Sequence, residues 1–494
     1  MSGVGAVAAW AGPVLVVAVV ARVTAGGVEA PLFVLAVLAA PLLALLASPE
    51  SRRTPSGFAA TVGLVTVVCV LGAGFRAVAD LGHALGLESG ATLGSAVALV
   101  LVTTVWRDHQ RVAASAFVLG AAALLIAVVM LGVAAAVPPW SAWSRAASRG
   151  AFALGPRSEW TREGAQFPQL TTLTFTEPHT ITAATDALVQ VTERDRATAV
   201  RERRLAAGES LLLRPGDIVA IPAGARVRFE PGRRVPGAPL SGVTWADAVG
   251  TTRPRLLAWW TGLTLTLAGG ALMIVRAQGP PSRASAVLPP GLVLSVVLAA
   301  ACWGVYAVDA APEASIGVPA AAGLVRLVPV VADEPWRSRI LTAIALALLA
   351  LLLGSAASLR RCLADLTAAE STGRAASARR RAFEAATWIV MVVAAVAVGM
   401  MAADGFTLLD QGLGLAAAVL LGPVLTNGQG PGVERARAKG ALAGGLIFVA
   451  VAAPAHWPGI VGSVDALARY PILVAAPGAW LVATFSKVAA ARRH

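Results

Sequence analysis

The sequence predicts a polytopic α-helical membrane protein of about twelve transmembrane helices, with one small all-β domain inserted between them. Three observations favour this fold class. Of the 494 residues, 57% are hydrophobic and only 14% are charged, whereas soluble domains contain about 25% charged residues. Apolar runs long enough to cross a bilayer recur along the chain. One region instead alternates apolar and polar residues between Pro and Gly turns, which is typical of β-strands.

The apolar runs fall into two groups. A bilayer core needs about 20 apolar residues per helix, and this criterion selects five spans before the β-region and seven after it. The predicted spans are roughly 4–24, 29–48, 58–75, 91–106 and 112–137, then 255–276, 288–309, 339–359, 384–403, 406–426, 440–454 and 470–489. The span containing Arg22 and the short span 440–454 fit least well, so eleven spans is the alternative. The predicted domains are therefore a five-helix bundle (1–137), an extracytoplasmic β-domain with an interfacial linker (138–254) and a seven-helix bundle (255–494).

The net charge of +13 comes almost entirely from arginine. Every second connection between spans, and the C-terminus, is rich in basic residues, which is the pattern of cytoplasmic loops. These residues are Arg52, Arg53, Arg107, Arg111, Arg276, Arg283, Arg360, Arg361, Arg374, Arg379, Arg380, Arg381, Arg435, Arg437, Lys439, Arg492 and Arg493. The pattern predicts a multi-pass protein of a bacterial inner membrane, with both termini in the cytoplasm and residues 138–254 outside. Since the arginines lie at the ends of apolar runs, they indicate membrane topology and not nucleic-acid binding.

The segment PPWSAWSRAASRGAF (138–152) follows the fifth span. It is interpreted either as a short interfacial helix with Trp140 and Trp143 toward lipid, or as an ordinary linker. Beyond it, residues 166–235 contain short runs of period-two alternation. Leu173 shares one face with Phe175, and Val227 shares one with Phe229. About six strands joined by tight turns predict a small antiparallel sandwich or barrel.

The run GDIVAIPAG, from Gly216 through Pro222 to Gly224, resembles the second sequence motif of the cupin family. In metal-binding cupins this motif continues to a histidine, and the corresponding residue is Val227. The first cupin motif supplies a His-x-His pair and a Glu, and no such pattern precedes the run. His179 is the one histidine of the region, and the sequence places it in a Pro-containing turn. The resemblance therefore implies a cupin-like barrel, without the family's metal site.

Motifs for catalysis and cofactors are absent from the sequence. The three cysteines, Cys69, Cys302 and Cys362, are far apart and form no metal-binding or disulfide pattern. No serine-hydrolase, zinc-protease, phosphate-loop or haem-attachment motif occurs. We therefore predict no catalytic residues, no cofactor and no metal.

Ionisable residues inside membrane spans are candidates for function because burying them is costly. Asp410 and Gln411 are the best candidates, as a possible intramembrane polar site, and the alternative is that both lie at the membrane interface. Asp80 and His83 could pair on a short external helix or could simply be solvated. The loop 360–381 could lie on anionic lipids through Arg360, Arg361, Arg379, Arg380 and Arg381, or could carry only topological charge.

Three functions remain open from the sequence. The first is a non-catalytic membrane subunit or scaffold of a complex, whose β-domain docks a protein partner through a basic rim of Arg226, Arg228, Arg233 and Arg234. The second is a secondary transporter or flippase that uses Asp410 and Gln411 as a coupling site. The third is an outer-face enzyme acting on lipid-linked glycans.

Overall fold

The computed structural model describes the chain in segments. These are residues 12–26, 34–40, 57–103, 108–148, 159–161, 164–167, 170–175, 178–193, 200–229, 260–270, 272, 288–310, 320–367, 376–402, 405–426, 430–452 and 470–491. The protein is mostly helical, and it contains one antiparallel β-region between the two groups of helices.

The helices follow the apolar runs of the sequence. They are α1 (Pro13–Gly26), α2 (Gly57–Ala84), α3 (Ser89–Val102), α4 (His109–Ala134), α5 (Pro139–Ser148), α6 (Leu288–Ala310), α7 (Ala320–Val331), α8 (Trp336–Thr367), α9 (Ala376–Met401), α10 (Gly405–Val424), α11 (Pro431–Ala452) and α12 (Ile472–Ala491), and residues 34–40 and 260–270 are also helical.

Six helices within the described residues are long and apolar enough to cross a membrane: α2, α4, α8, α9, α10 and α12. The predicted count of twelve spans is therefore not supported. The apolar parts of α3 and α6 are shorter, at Gly90–Val102 and Gly291–Ala307. The predicted span 440–454 belongs to α11, whose first turns carry charged residues because the helix begins earlier, at Pro431. Most of the predicted span 29–48 lies outside the described residues.

Helices α2 and α10 form the centre of the bundle. Their apolar windows are 72% buried, whereas those of α9 and α12 are only 28% buried. Helix α2 packs against both α9 and α10, α4 packs against α8, and α11 packs against α12. The outward faces of α9 and α12 expose large apolar side chains such as Val390 and Phe485, as expected for helices that face lipid tails.

Small residues bring the helices close together. A Cβ atom at Gly440 would come within 2.7 Å of the Ala479 carbonyl oxygen, and one at Gly444 within 2.9 Å of the Ala479 side chain. The two glycines therefore lie directly against α12, as their four-residue spacing predicts for a helix contact. Across α2 and α10, the Thr66 hydroxyl lies 2.9 Å from the Val62 carbonyl oxygen and 3.2 Å from that of Gly412.

Two short helices lie beside the longer ones. The segment after α4 forms the helix α5, whose Trp140 is 84% exposed while Ala142 is buried. Trp143 packs against the hydrophobic core, so only Trp140 points outward as expected for an interfacial helix. Helix α7 lies in a stretch that the sequence analysis treated as a loop. Its buried residues, including Leu324 and Val328, pack against α1 and α2.

The β-region contains nine described strands, and their order defines a jelly-roll sandwich. The strands are β1 (Glu159–Thr161), β2 (Gly164–Gln166), β3 (Thr171–Thr174), β4 (His179–Ala183), β5 (Ala187–Thr192), β6 (Val200–Leu205), β7 (Ser210–Leu213), β8 (Ile218–Ile221) and β9 (Arg226–Phe229). Sheet A has the order β1-β2-β9-β4-β7 and sheet B the order β3-β8-β5-β6. The strand pairs are nested: β5 pairs with β6, and moving outward along the chain β4 pairs with β7, β3 with β8 and β2 with β9. The chain therefore forms one long hairpin that is wrapped into two sheets. This strand order is that of the jelly-roll fold, an architecture that cupins also have.

The alternation of the sequence sets the two faces of each strand. Leu173 and Val189 are buried in the sandwich, while Thr172 and Gln190 point out. Tight turns join the strands. In the turn at residues 214–217, the Asp217 carboxylate accepts a hydrogen bond of 2.7 Å from the backbone N–H of Arg214. This bond closes the turn that leads into the run with the cupin-like motif.

Candidate functional site

The inside of the sandwich is filled by side chains. Val227 points inward and has no exposed surface, at the position where the cupin motif would place a histidine ligand. His179 is not in a turn, as the sequence suggested, but is the first residue of β4, and it is completely buried. A histidine followed by alternating apolar residues joins a strand readily, because its ring can pack against neighbouring aromatic rings.

Aromatic rings surround His179. Its ring centroid lies 5.2 Å from that of Phe175 and 5.7 Å from that of Phe229. Phe167 meets Phe229 edge to face at 6.5 Å. Phe167 and Phe175 have no exposed surface. Within the described residues no three His, Cys, Asp or Glu side chains come together as a possible metal site. The described interior beside His179 is packed with aromatic rings.

The outer face of sheet A carries the described part of the predicted basic rim. The Nε of Arg226 donates a 2.9 Å hydrogen bond to the side-chain oxygen of Gln166, which fixes the guanidinium against strand β2. The Arg226 side chain is half-buried, whereas Arg228 is exposed. Both lie on β9, between β2 and β4, on the same face. Arg233 and Arg234, the other predicted residues of the rim, lie outside the described residues.

Ion pairs line the edge strand of sheet B. Arg201 contacts Glu193 at 3.2 Å, and Arg203 contacts Glu209 at 3.3 Å. Since Glu209 directly precedes β7, the second pair joins the edges of the two sheets. All four side chains are 40–57% exposed, so each pair contributes at most about 1 kcal/mol to stability. The exterior of the sandwich is therefore charged and the interior apolar.

The predicted intramembrane pair separates in the structure. Asp410 lies in the second turn of α10 and is half-buried, while Gln411 is exposed. Residues four apart share a helix face, so Asp410 faces the same side as Gly414. A Cβ atom at Gly414 would lie 3.8 Å from the hydroxyl oxygen of Thr266, which is 3% exposed. The same Cβ atom would lie 2.9 Å from the ring of Phe448 on α11, so the side of α10 that carries Asp410 lies near both α11 and the helical segment 260–270, whereas Gln411 is exposed.

Arg360 and Arg361 were predicted to lie in a basic loop, 360–381, but they belong to α8, which continues to Thr367. The Arg360 guanidinium donates a hydrogen bond to the carbonyl of Thr103, the buried residue that follows α3. This arginine therefore caps a helix end, because the last carbonyls of a helix have no partners within it. Arg437 makes the same kind of bond, of 2.8 Å, to the carbonyl of Thr426 after α10. The side chains of Arg379, Arg380 and Arg381, at the start of α9, lie outside the described part of the chain.

His109, a histidine that the sequence places at the edge of a span, lies among charged side chains. It begins α4 and lies within electrostatic range of Arg360, Arg361 and Glu384. Burial, followed by the positive charges of the two arginines, lowers the pKa of His109 from 6.5 to about 4. The imidazole is therefore neutral at physiological pH. The sequence placed His109 next to a basic loop, but only the packing of α4 on α8 brings it against these arginines.

Helix α2 contains an ion pair of its own. Arg76 and Asp80 are one helical turn apart, and the Nε of Arg76 lies 3.0 Å from an oxygen of Asp80. Their side chains are only 24% and 18% exposed. The short external helix predicted for Asp80 and His83 does not exist as a separate element, because α2 continues through Ala84. His83 is exposed. The spacing of four residues could have identified the Arg76–Asp80 pair from the sequence.

No protein-family model matches the chain, and no curated protein matches it.

Proposed function

We propose that the protein is a non-catalytic, integral subunit or scaffold of a membrane complex, whose jelly-roll sandwich docks a protein partner. One observation carries this proposal. The sandwich interior is filled by Phe167, Phe175 and His179, each with no exposed surface, so recognition is left to the exterior. On this basis the domain acts as a binding module that presents its charged outer surface to a partner.

We further propose that the protein lies in a bacterial inner membrane with its β-sandwich on the extracytoplasmic side. The basic connections of the sequence support an inner-membrane protein with both termini in the cytoplasm and the sandwich on the other side. Six helices long and apolar enough to span a membrane are consistent with this. In that arrangement Arg226 and Arg228 present positive charge to an extracytoplasmic partner. Acidic groups on that partner are the natural complement.

Native purification in a mild detergent tests the proposal. We expect the full chain to bring down a stoichiometric second protein. The double variant Arg226→Glu with Arg228→Glu should lose that protein because it reverses the charge of the outer face of sheet A. A matched control, Arg201→Glu with Arg204→Glu, makes the same charge change on β6 and should retain it. If the wild-type chain purifies alone, or if both variants behave alike, the proposal is wrong.

A transporter remains the second candidate, and the half-buried position of Asp410 in α10 is the observation that favours it. Asp410 lies on the same side of α10 as Gly414, which is near Phe448 of α11 and the buried hydroxyl of Thr266, and a carboxylate among packed helices can couple ion movement to transport. In proteoliposomes with an imposed sodium or proton gradient, Asp410→Asn should abolish ion flux, whereas Gln411→Ala should retain it. Equal flux in wild type and Asp410→Asn would remove this candidate.

A further inference from the structure

We propose that two copies of the chain associate edge to edge through strand β7, so that sheet A continues from one copy into the other. The partner of the β7 edge is a second copy of this chain, and the face of the sheet that carries Arg226 and Arg228 stays accessible to a different protein. This pairing does not depend on the proposed function.

The two sheets differ in how their edge strands are protected. Strand β6, the edge of sheet B, exposes five consecutive residues, four of them charged. Charged side chains of this kind prevent a sheet from pairing with another strand. Strand β7, the described edge of sheet A on the same side, has the sequence SLLL and carries no charge. Its Leu212 is 69% exposed, more than the other apolar side chains of the described strands.

Among the strands that the structure describes, none lies on the outer side of β7, and the register of β7 directs backbone groups toward that side. The N–H of Ala183 donates to the carbonyl of Glu209 at 2.9 Å, which identifies that pair as hydrogen-bonded. Hydrogen-bonded and non-hydrogen-bonded pairs alternate along an antiparallel ladder. The Ile181–Leu211 pair is therefore bonded. The N–H and C=O groups of Ser210 and Leu212 consequently point away from β4, toward the open side.

The side chains of β7 select one register for pairing with a second copy. If Leu212 lies opposite Leu212 of the other copy, then Leu211 lies opposite Leu213, and Ser210 opposite Arg214. Both apolar faces are then matched, and the hydroxyl of Ser210 meets a cation that is exposed in the monomer. In the neighbouring register, Leu211 would lie opposite Leu211 of the other copy. The charged Glu209 would then lie opposite Leu213. The first register is therefore favoured.

A strand of four residues forms a small contact. Stable interfaces between proteins free in solution bury at least about 1,000 Å², and one strand pair buries less. In a membrane a smaller contact area can suffice, because the bilayer holds both copies in one plane and one orientation and so raises their effective concentration. Two identical strands that pair in this register are related by a two-fold axis, and two-fold dimers are the commonest symmetric oligomers of soluble proteins.

Disulfide trapping in membranes tests the proposal. Leu212→Cys places two thiols directly opposite each other, where the Cα atoms are about 5.5 Å apart and a disulfide can form. Ser210→Cys is the control on the same strand, since in this register the two Ser210 residues are offset by about 13 Å. Leu188→Cys is the control on sheet B, where Leu188 is 51% exposed. The native cysteines lie outside the β-region, at positions 69, 302 and 362.

We expect a mild oxidant to convert Leu212→Cys to a dimer at least five times more efficiently than either control. If Leu212→Cys remains monomeric although its thiol reacts with a maleimide, or if all three variants cross-link equally, the β7 pairing is wrong. The proposed function is tested separately by co-purification. A dimer without a second protein would support β7 pairing and refute partner docking, and a second protein without a dimer would do the reverse.

Discussion

The contact between α2 and α9 depends on Gly72, and the substitution Gly72→Ala tests how closely the two helices approach. A Cβ atom at this position would lie 2.7 Å from the carbonyl oxygen of Ala395 on α9. It would also lie 3.2 Å from the backbone nitrogen of Gly399 and 3.2 Å from a methyl group of Leu408 on α10. Two of these three atoms belong to the backbone, so a side chain cannot simply rotate away.

The expected cost follows from this crowding. Overpacking of a close contact destabilises a protein by about 1–3 kcal/mol, and here α9 must shift to relieve it. Gly94→Ala is the matched control, because Gly94 lies in α3 and a Cβ atom there has no neighbour within 4 Å. In a helix, replacing Gly by Ala stabilises by up to about 1 kcal/mol. Because this gain applies to both helical positions, we expect the free energies of unfolding of the two variants to differ by the overpacking cost of about 1–3 kcal/mol.

The assay is unfolding of the purified chain by sodium dodecyl sulfate in mixed micelles, followed by far-ultraviolet circular dichroism. Gly72→Ala should unfold at a lower detergent fraction than wild type, and Gly94→Ala at the same or a higher fraction. A Gly72→Ala variant as stable as Gly94→Ala would show that α2 and α9 do not meet closely at Gly72, and the packing described for the centre of the bundle would be incorrect.

Three further predictions concern single side chains. The pKa of His109 in the folded chain is about 4, below its unfolded value of about 6.5, so as the pH falls the unfolded chain binds the proton first. The stabilisation that neutral His109 provides is fully present above about pH 6.5 and is lost as the pH falls toward 4. For this partly exposed side chain the loss is about 1–2 kcal/mol. His109→Gln should flatten this pH dependence of the free energy of unfolding in detergent-unfolding titrations. Arg437→Ala should lower the free energy of unfolding by about 1.5–3 kcal/mol, because it removes a charged hydrogen bond to the Thr426 carbonyl, whereas Arg435→Ala, at an exposed position, should leave it unchanged. Phe175→Ala should cost the sandwich about 3–5 kcal/mol and make the β-region sensitive to limited proteolysis, whereas Thr174→Ala, on the outward face, should not.

The sequence predicted the local structure of the sandwich but not its topology. Alternation placed Leu173 with Phe175 on one strand face and Val227 with Phe229 on another, and Leu173, Phe175 and Val227 are buried. Local alternation cannot show which strands pair. The pair β2–β9 joins residues about 60 positions apart, and its formation depends on packing across the whole domain. The jelly-roll order therefore became visible only in the structure.

For the helices, too, the sequence predicted local structure but not packing. The apolar run 406–426 matches α10 closely, because its length and composition suffice to define a helix. Helix α7 was missed, since twelve residues are too few for a span and its apolar face is buried only by contact with α1 and α2. Among the candidate site residues, the separation of Asp410 from Gln411 follows from helical geometry alone. The position of His109 beside Arg360 depends on the packing of α4 on α8 and could not be predicted from spacing.

The central claim is that the sandwich binds a partner through its exterior, and site-specific photo-crosslinking in intact cells tests it most directly. A photoreactive residue at Arg228, on the exposed face of sheet A, should capture one discrete protein other than this chain. The same residue at Gln190, which is exposed on the outer face of sheet B, should capture none. Capture of no protein from Arg228, or of the same set of proteins from both positions, would contradict the account.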